Sequence, residues 1–145
     1  MTQRDPLALD NQLCFALYST SLAMTQAYKP LLEPLGLTYT QYTIMLILWE
    51  QDGVTLKSIA DRLGQKSGSL TPVIKRMESQ GLVKRIRGKE DDRALSIALT
   101  ESGKVLRTQG LEVNRCLAES CGISLQEMET LKTTLLELKT RISKI

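Results

Sequence analysis

Two helical periods and two alternating runs follow one another between Thr55 and Leu99, and that order admits few folds. Leu56, Ile59, Ala60 and Leu63 fall on one helix face behind a capping Thr55, and Gly64 supplies the stop. A second period from about Ser67 to Gln80 places Leu70, Val73, Ile74 and Met77 on one side and ends at Gly81. Leu82 to Ile86 then alternates, a polar tip runs from Arg87 to Asp92, and Ala94 to Leu99 alternates again. Alternation on both sides of a polar tip predicts a β-hairpin. Helix, glycine turn, helix and hairpin in this order predict a winged helix-turn-helix over about residues 54–100.

The flanks read as helices. Asp5-Pro6 predicts a helix start, and Leu9, Leu13, Ala16 and Leu17 carry the period on towards Tyr28, with Pro30 and Pro34 as punctuation. Thr38 and Gln41 form a capping box ahead of an apolar helix ending near Glu50. After the hairpin, one helix is expected over about Glu101 to Glu119. Another starts at the Ser124–Glu127 capping box and carries Leu125, Met128, Leu131, Leu135, Leu138 and Ile142 at helical spacing. Apolar stripes on terminal helices need a partner, and a second copy of the chain is the expected one. The fold class is therefore mainly α with a small β-wing. It is one domain over 1–145, with dimerisation helices at about 6–33 and 101–145.

What the chain lacks narrows its chemistry. With no His among 145 residues there is no Ser-His-Asp or Cys-His catalysis and no His-ligated metal. Aromatics at 4% are too few for a base-stacking single-strand binder. The longest strongly apolar run, Ile44 to Trp49, is far shorter than a membrane span, and no leader precedes Asp5. A cytoplasmic protein without membrane association is expected, with neither a metal nor an organic cofactor. Three cysteines, Cys14, Cys116 and Cys121, are an odd set, which argues against a secreted disulfide framework and for packing or redox chemistry.

Charge is concentrated where the winged helix lies. Residues 54–100 hold ten basic and five acidic side chains, a net +5, whereas the rest of the chain nets −2. A basic reading head fits double-stranded DNA, because a recognition helix can enter the major groove with its first residues facing base edges. Lys66, Ser67, Ser69, Thr71 and Pro72 occupy that start, with Pro72 read as part of the first turn. Lys75 and Arg76 follow as backbone-holding cations. The wing offers Arg87, Lys89 and Arg93 to the minor groove, with Asp91 placed to orient Arg93. A winged helix used only for protein contacts is the rival reading.

SIADRLGQKSGSLTPVIKRMESQGLVKR and EDDRALSIALTESG resemble the reading head and wing of the multiple-antibiotic-resistance regulator (MarR) family. DNQLCFALYS, LTYTQY and LILWE further resemble its organic hydroperoxide resistance regulators (OhrR). In that subfamily a cysteine on the first helix is hydrogen-bonded by two tyrosines fourteen and twenty-five residues later. Those positions here are Cys14, Tyr28 and Tyr39. Two phenol donors on one sulfur favour the thiolate, the nucleophilic form. Phe15, Leu22 and Met24 are the expected apolar neighbours that suit an organic peroxide. The two-Cys members resolve the sulfenic acid with a thiol of the other subunit, near the end of the helix after the wing. Cys116 and Cys121 both lie in that region. The resemblance implies a homodimeric repressor, not an enzyme, that leaves a pseudo-palindromic operator when oxidised. A regulator answering a small phenolic or lipophilic ligand and a thiol peroxidase are the alternatives.

Overall fold

The computed structural model describes residues 5–87 and 95–144. The chain divides into two compact units, Met1–Val113 and Asn114–Ile145. The first contains α1 (Leu13–Leu32), α2 (Tyr39–Glu50), β1 (Val54–Thr55), α3 (Leu56–Leu63), α4 (Ser67–Ser79), β2 (Val83–Arg87), β3 (Leu95–Leu99), α5 (Glu101–Val105) and the start of α6 (Arg107–Ser120). The second contains the rest of α6 and α7 (Leu125–Ile142).

The expected caps form. Thr38 Oγ1 accepts the Gln41 amide while Gln41 Oε1 accepts the Thr38 amide, and Ser124 with Glu127 repeats the arrangement on α7. Thr55 Oγ1 accepts the Ser58 amide at the start of α3. Gly64 ends that helix at φ 67°, a left-handed angle that an L side chain rarely takes.

The first helix differs from expectation at both ends. Asp5 Oδ1 accepts the Leu7 amide at 3.0 Å, which closes a turn and not a helix. The side-chain amide of Gln12 donates to the carbonyls of Pro6 and Ala8 at 2.6 and 2.9 Å. Those bonds hold a break at Gln12, whose backbone is extended, and α1 begins at Leu13. At its far end α1 passes through Pro30, because one missing amide is a local loss and the Glu33 amide bonds Lys29 O again. The post-wing helix, expected as one, is divided at Leu106 into α5 and α6. Pro72 is the sixth residue of α4 and so lies beyond its first turn. Its ring leaves the carbonyl of Gly68 without a helical donor, at an exposed position where water can serve.

The sheet is three-stranded and antiparallel in the order β1-β3-β2. β3 is central, with Val54 opposite Ile97 on one side and Val83 opposite Leu99 on the other. The core of the first unit joins α2, α3, α4 and the sheet. Ile44, Met45, Leu48, Ile59, Leu70, Ile74, Met77 and Ile97 are fully buried in it. The second unit has no such centre on α7, where Leu125, Leu131, Leu136 and Ile142 are all more than half exposed. Leu13 and Tyr18 of α1 are likewise exposed. Apolar surface of this kind is what subunit interfaces cover.

Candidate DNA-reading head and thiol site

The reading head is set by α3 and α4. Leu70, Ile74 and Met77 bury one face of α4, so the other face is turned to solvent. Lys66, Ser69, Pro72, Lys75 and Arg76 are exposed there, and Ser67 and Thr71 are half-buried. The hydroxyls are engaged locally. Ser69 Oγ donates to Lys66 O at 2.7 Å and Thr71 Oγ1 to Ser67 O at 3.2 Å, leaving oxygen lone pairs as their outward function. Lys66 is the N-cap of α4 and caps it with no side-chain bond, so the start of the helix presents amides suited to an anion.

β2 is tied back to α4 by charge. Arg85 Nε donates to Glu78 Oε1 at 3.1 Å, and the Arg85 amide to Glu78 Oε2 at 3.3 Å. These bonds hold the Glu78 carboxyl below the ordinary carboxylate range. Arg87 is the exposed last residue of β2. Lys89, Asp91 and Arg93 lie outside the described residues.

The thiol and phenol groups are arranged differently. Tyr28 and Tyr39 are brought together, with ring centroids 5.0 Å apart, and Tyr28 is 5.4 Å from Tyr42. Tyr39 is the first residue of α2 and is 40% exposed. Cys14 is exposed at the second position of α1. Fourteen residues of one continuous helix separate it from Tyr28, a rise of about 21 Å. Its sulfur is therefore not beside the tyrosines of its own chain. By the same rise Leu22 and Met24 stand about 12 and 15 Å along the helix axis, so of the three apolar neighbours expected only Phe15 adjoins Cys14.

All three cysteines are unbridged. Cys116 is half-buried inside α6, and Arg115 Nη2 donates to its sulfur at 3.8 Å. Cys121 is exposed one residue past the end of α6 and precedes Gly122.

Residues 26–109 match the SarA/Rot family of transcriptional regulators. The chain is 43% identical over 136 residues to the organic hydroperoxide resistance transcriptional regulator of Bacillus subtilis, covering 92% of each protein. The chain belongs to the MarR-type transcriptional regulators, with the organic hydroperoxide resistance regulators. Among solved structures, reduced AbfR bound to DNA superposes with a TM-score of 0.82 at 37% identity, covering 94% of this chain and 93% of the other. Disulfide-formed AbfR superposes at 0.67 with 41% identity, covering 90% and 91%. AbfR is a protein of Staphylococcus epidermidis.

Within this MarR-type chain, sequence reading passed over Tyr42. It is 1% exposed, faces both Tyr28 and Trp49, and its hydroxyl donates to Gly110 O at 3.5 Å. Its place in LTYTQY was the available signal, but only the packing shows that it backs the tyrosine pair. Burial pushes its phenol up from the ordinary value of 10.0, and the neighbouring Tyr39 adds to the effect. A phenol held neutral by the fold contributes stability that is complete below the unfolded value. It is lost as pH rises, since the unfolded chain ionises first. Denaturation midpoints measured from about pH 9 to about pH 11 should therefore fall, and the fall should be smaller in Tyr42→Phe. Equal slopes in the two proteins would remove this account of Tyr42.

Proposed function

We propose that the protein is a cytoplasmic, homodimeric DNA-binding repressor, and not an enzyme, that senses organic hydroperoxides through Cys14 and then releases its operator. The observation that carries the reading is the Tyr28–Tyr39 pair, 5.0 Å apart, in a chain 37% identical to a regulator solved reduced on DNA. The same regulator has also been solved with its disulfide formed.

Because Cys14 and Tyr28 are about 21 Å apart along one helix, the donors come from the second protomer. The dimer is then part of the chemistry. Cys14 of one protomer enters beside the partner's Tyr28 and the partner's Tyr39, where two phenol O–H groups favour its thiolate. The thiolate attacks one oxygen of an organic hydroperoxide. The O–O bond breaks, sulfur is oxidised to sulfenic acid, and the alkoxide takes a proton and leaves as an alcohol. A second thiol then displaces the hydroxyl as water and closes a disulfide. Cys116 lies inside α6 with Arg115 Nη2 donating to its sulfur, whereas Cys121 lies past the helix end, and this placement favours Cys116 as the resolving thiol.

DNA binding is assigned to Lys66, Ser67, Ser69, Thr71, Pro72, Lys75 and Arg76 of the reading head and to Arg87, Lys89, Asp91 and Arg93 of the wing. Two such heads about one duplex turn apart would fit a pseudo-palindromic operator. The chain then acts as a single functional domain over 1–145. Lys75→Ala and Arg76→Ala should each weaken binding on every sequence and lower the slope of log K against log salt by about 1. An unchanged slope, measured by fluorescence anisotropy across a salt series, would move the phosphate contacts elsewhere.

The test of the whole reading is a gel shift in which a small excess of cumene hydroperoxide releases the duplex and dithiothreitol restores it. A second reading has one observation in its favour. A groove of about 490 Å³ lies against α1 and the start of α2, lined by Thr25, Lys29, Leu32, Leu37, Thr38 and Tyr39. A small phenolic or lipophilic effector could occupy it, and release by such a ligand in Cys14→Ser would establish that regulator instead.

A further inference from the structure

Among the described residues, Gln41 is the only buried side chain that carries an amide or a charge, 2% exposed, and one of its bonds leads out of its own helix. Its Oε1 accepts the Thr38 amide at 3.1 Å, completing the cap of α2 next to Tyr39. Its Nε2 donates to Gln80 Oε1 at 3.3 Å, thirty-nine positions away in sequence. Gln80 Nε2 in turn donates to Gly36 O at 2.8 Å, in the turn before α2. Gln80 is the C-cap of α4, its own amide bonding Arg76 O. The direction of the chain is determined at both ends, because Thr38 N–H can only donate and Gly36 C=O can only accept. Flipping either amide breaks two bonds.

The capping box alone does not require this. A glutamate at position 41 would accept the Thr38 amide equally well. Only a glutamine can accept from Thr38 and also donate to Gln80. We propose that Gln41 and Gln80 are positioning residues that couple the Tyr28–Tyr39 pair to the DNA-reading helix. Tyr39 is the residue after the Thr38 cap, and its ring lies on Tyr28. A displacement of Tyr39 shifts the cap, the cap carries Gln41, and Gln41 pulls on the end of α4. A helix of 13 residues moves as a rod, so a shift at its C-cap re-aims Lys66 to Lys75. The redox meaning of this link rests on the function proposed above, whereas the link itself does not.

The experiment separates the two. Hydrogen exchange by mass spectrometry is followed in peptides covering α4 of the full chain, in the native and Gln80→Met backgrounds. Gln80 is exposed, so the substitution removes the bonds without opening the core. Gln80→Glu, which accepts from Gln41 but cannot donate to Gly36 O, supplies a third background. Tyr39→Ala should change exchange in α4 about fivefold with Gln80 present, and less than about twofold in either substituted background. An equal response in all three backgrounds, or none in the first, overturns the proposal. In the oxidant arm, cumene hydroperoxide is added and Cys14 is followed by intact mass. Oxidation that alters α4 exchange only with Gln80 present supports the link, and oxidation that alters it equally without Gln80 overturns it. Should Cys14 not oxidise while the Tyr39→Ala arm behaves as expected, the redox function falls and the link stands.

Discussion

Cys14→Ser should bind operator DNA as tightly as the native protein when reduced, and should hold it after a hydroperoxide treatment that weakens native binding more than a hundredfold. The size follows from what a repressor must do. A differential affinity of about 3 kcal/mol between the two states moves occupancy more than a hundredfold, and all of it originates in one oxidised sulfur. Serine has nearly the volume of cysteine, and Cys14 is exposed within its own chain, so the fold loses no core contact. Its hydroxyl cannot be oxidised by a peroxide. Tyr28→Phe with Tyr39→Phe forms a useful companion. The rings and their 5.0 Å contact remain while both donors are lost, so sulfenate formation should slow and reduced DNA binding should not. Anisotropy titrations with and without cumene hydroperoxide measure the DNA affinities, and intact mass followed over time measures the oxidation rate. Release of Cys14→Ser by the peroxide would reject the sensing mechanism.

Gly103→Ala should destabilise the protein by about 3 kcal/mol, at the upper end of what overpacking usually costs. A Cβ at position 103 would overlap the backbone carbonyl oxygen of Leu82 and press on Leu99 Cδ2 at 3.1 Å. Neither neighbour can yield easily. Leu82 O already accepts the Thr100 amide at 3.1 Å, and Thr100 Oγ1 both donates to Gly81 O and accepts the Gly103 amide. Trp49 Nε1 donates to Gly103 O at 2.9 Å from the other side. Relief by moving α5 would loosen the junction between α4, the sheet and Trp49 together. A melting temperature lower by about 10 °C is expected in a thermal scan. A change of less than about 2 °C would show that the helix start shifts freely.

Much of the reading head was legible because its determinants are local. A Thr or Ser three residues ahead of its bonded amide at Thr38, Thr55 and Ser124, and the glycine at 64, act within one turn of chain. The period of Leu70, Ile74 and Met77 needs no knowledge of what covers it. Where a local signal competed with a side chain a few residues away, the reading failed. Asp5-Pro6 resembles a helix start, but the Gln12 amide occupies two carbonyls ahead of α1 and delays it. Two-residue β1 carries no period at all and exists only because β3 offers it an edge.

The thiol site divides along the same line. The resemblance to the organic hydroperoxide resistance regulators pointed to Cys14, Tyr28 and Tyr39 as a set, and composition excluded histidine chemistry before any fold was considered. The helix read towards Tyr28 already separates Cys14 from Tyr28 by about 21 Å, but nothing in the sequence said that Tyr42 would back the rings. Gln41 was visible as half of a capping box, a bond spanning three residues, but not as the donor to Gln80, thirty-nine residues on. Caps, turns and helical periods are decided by groups three or four residues apart, whose meeting costs little chain entropy. Contacts across tens of residues form only when the packing of the whole core has already met that cost, so only the folded structure records them.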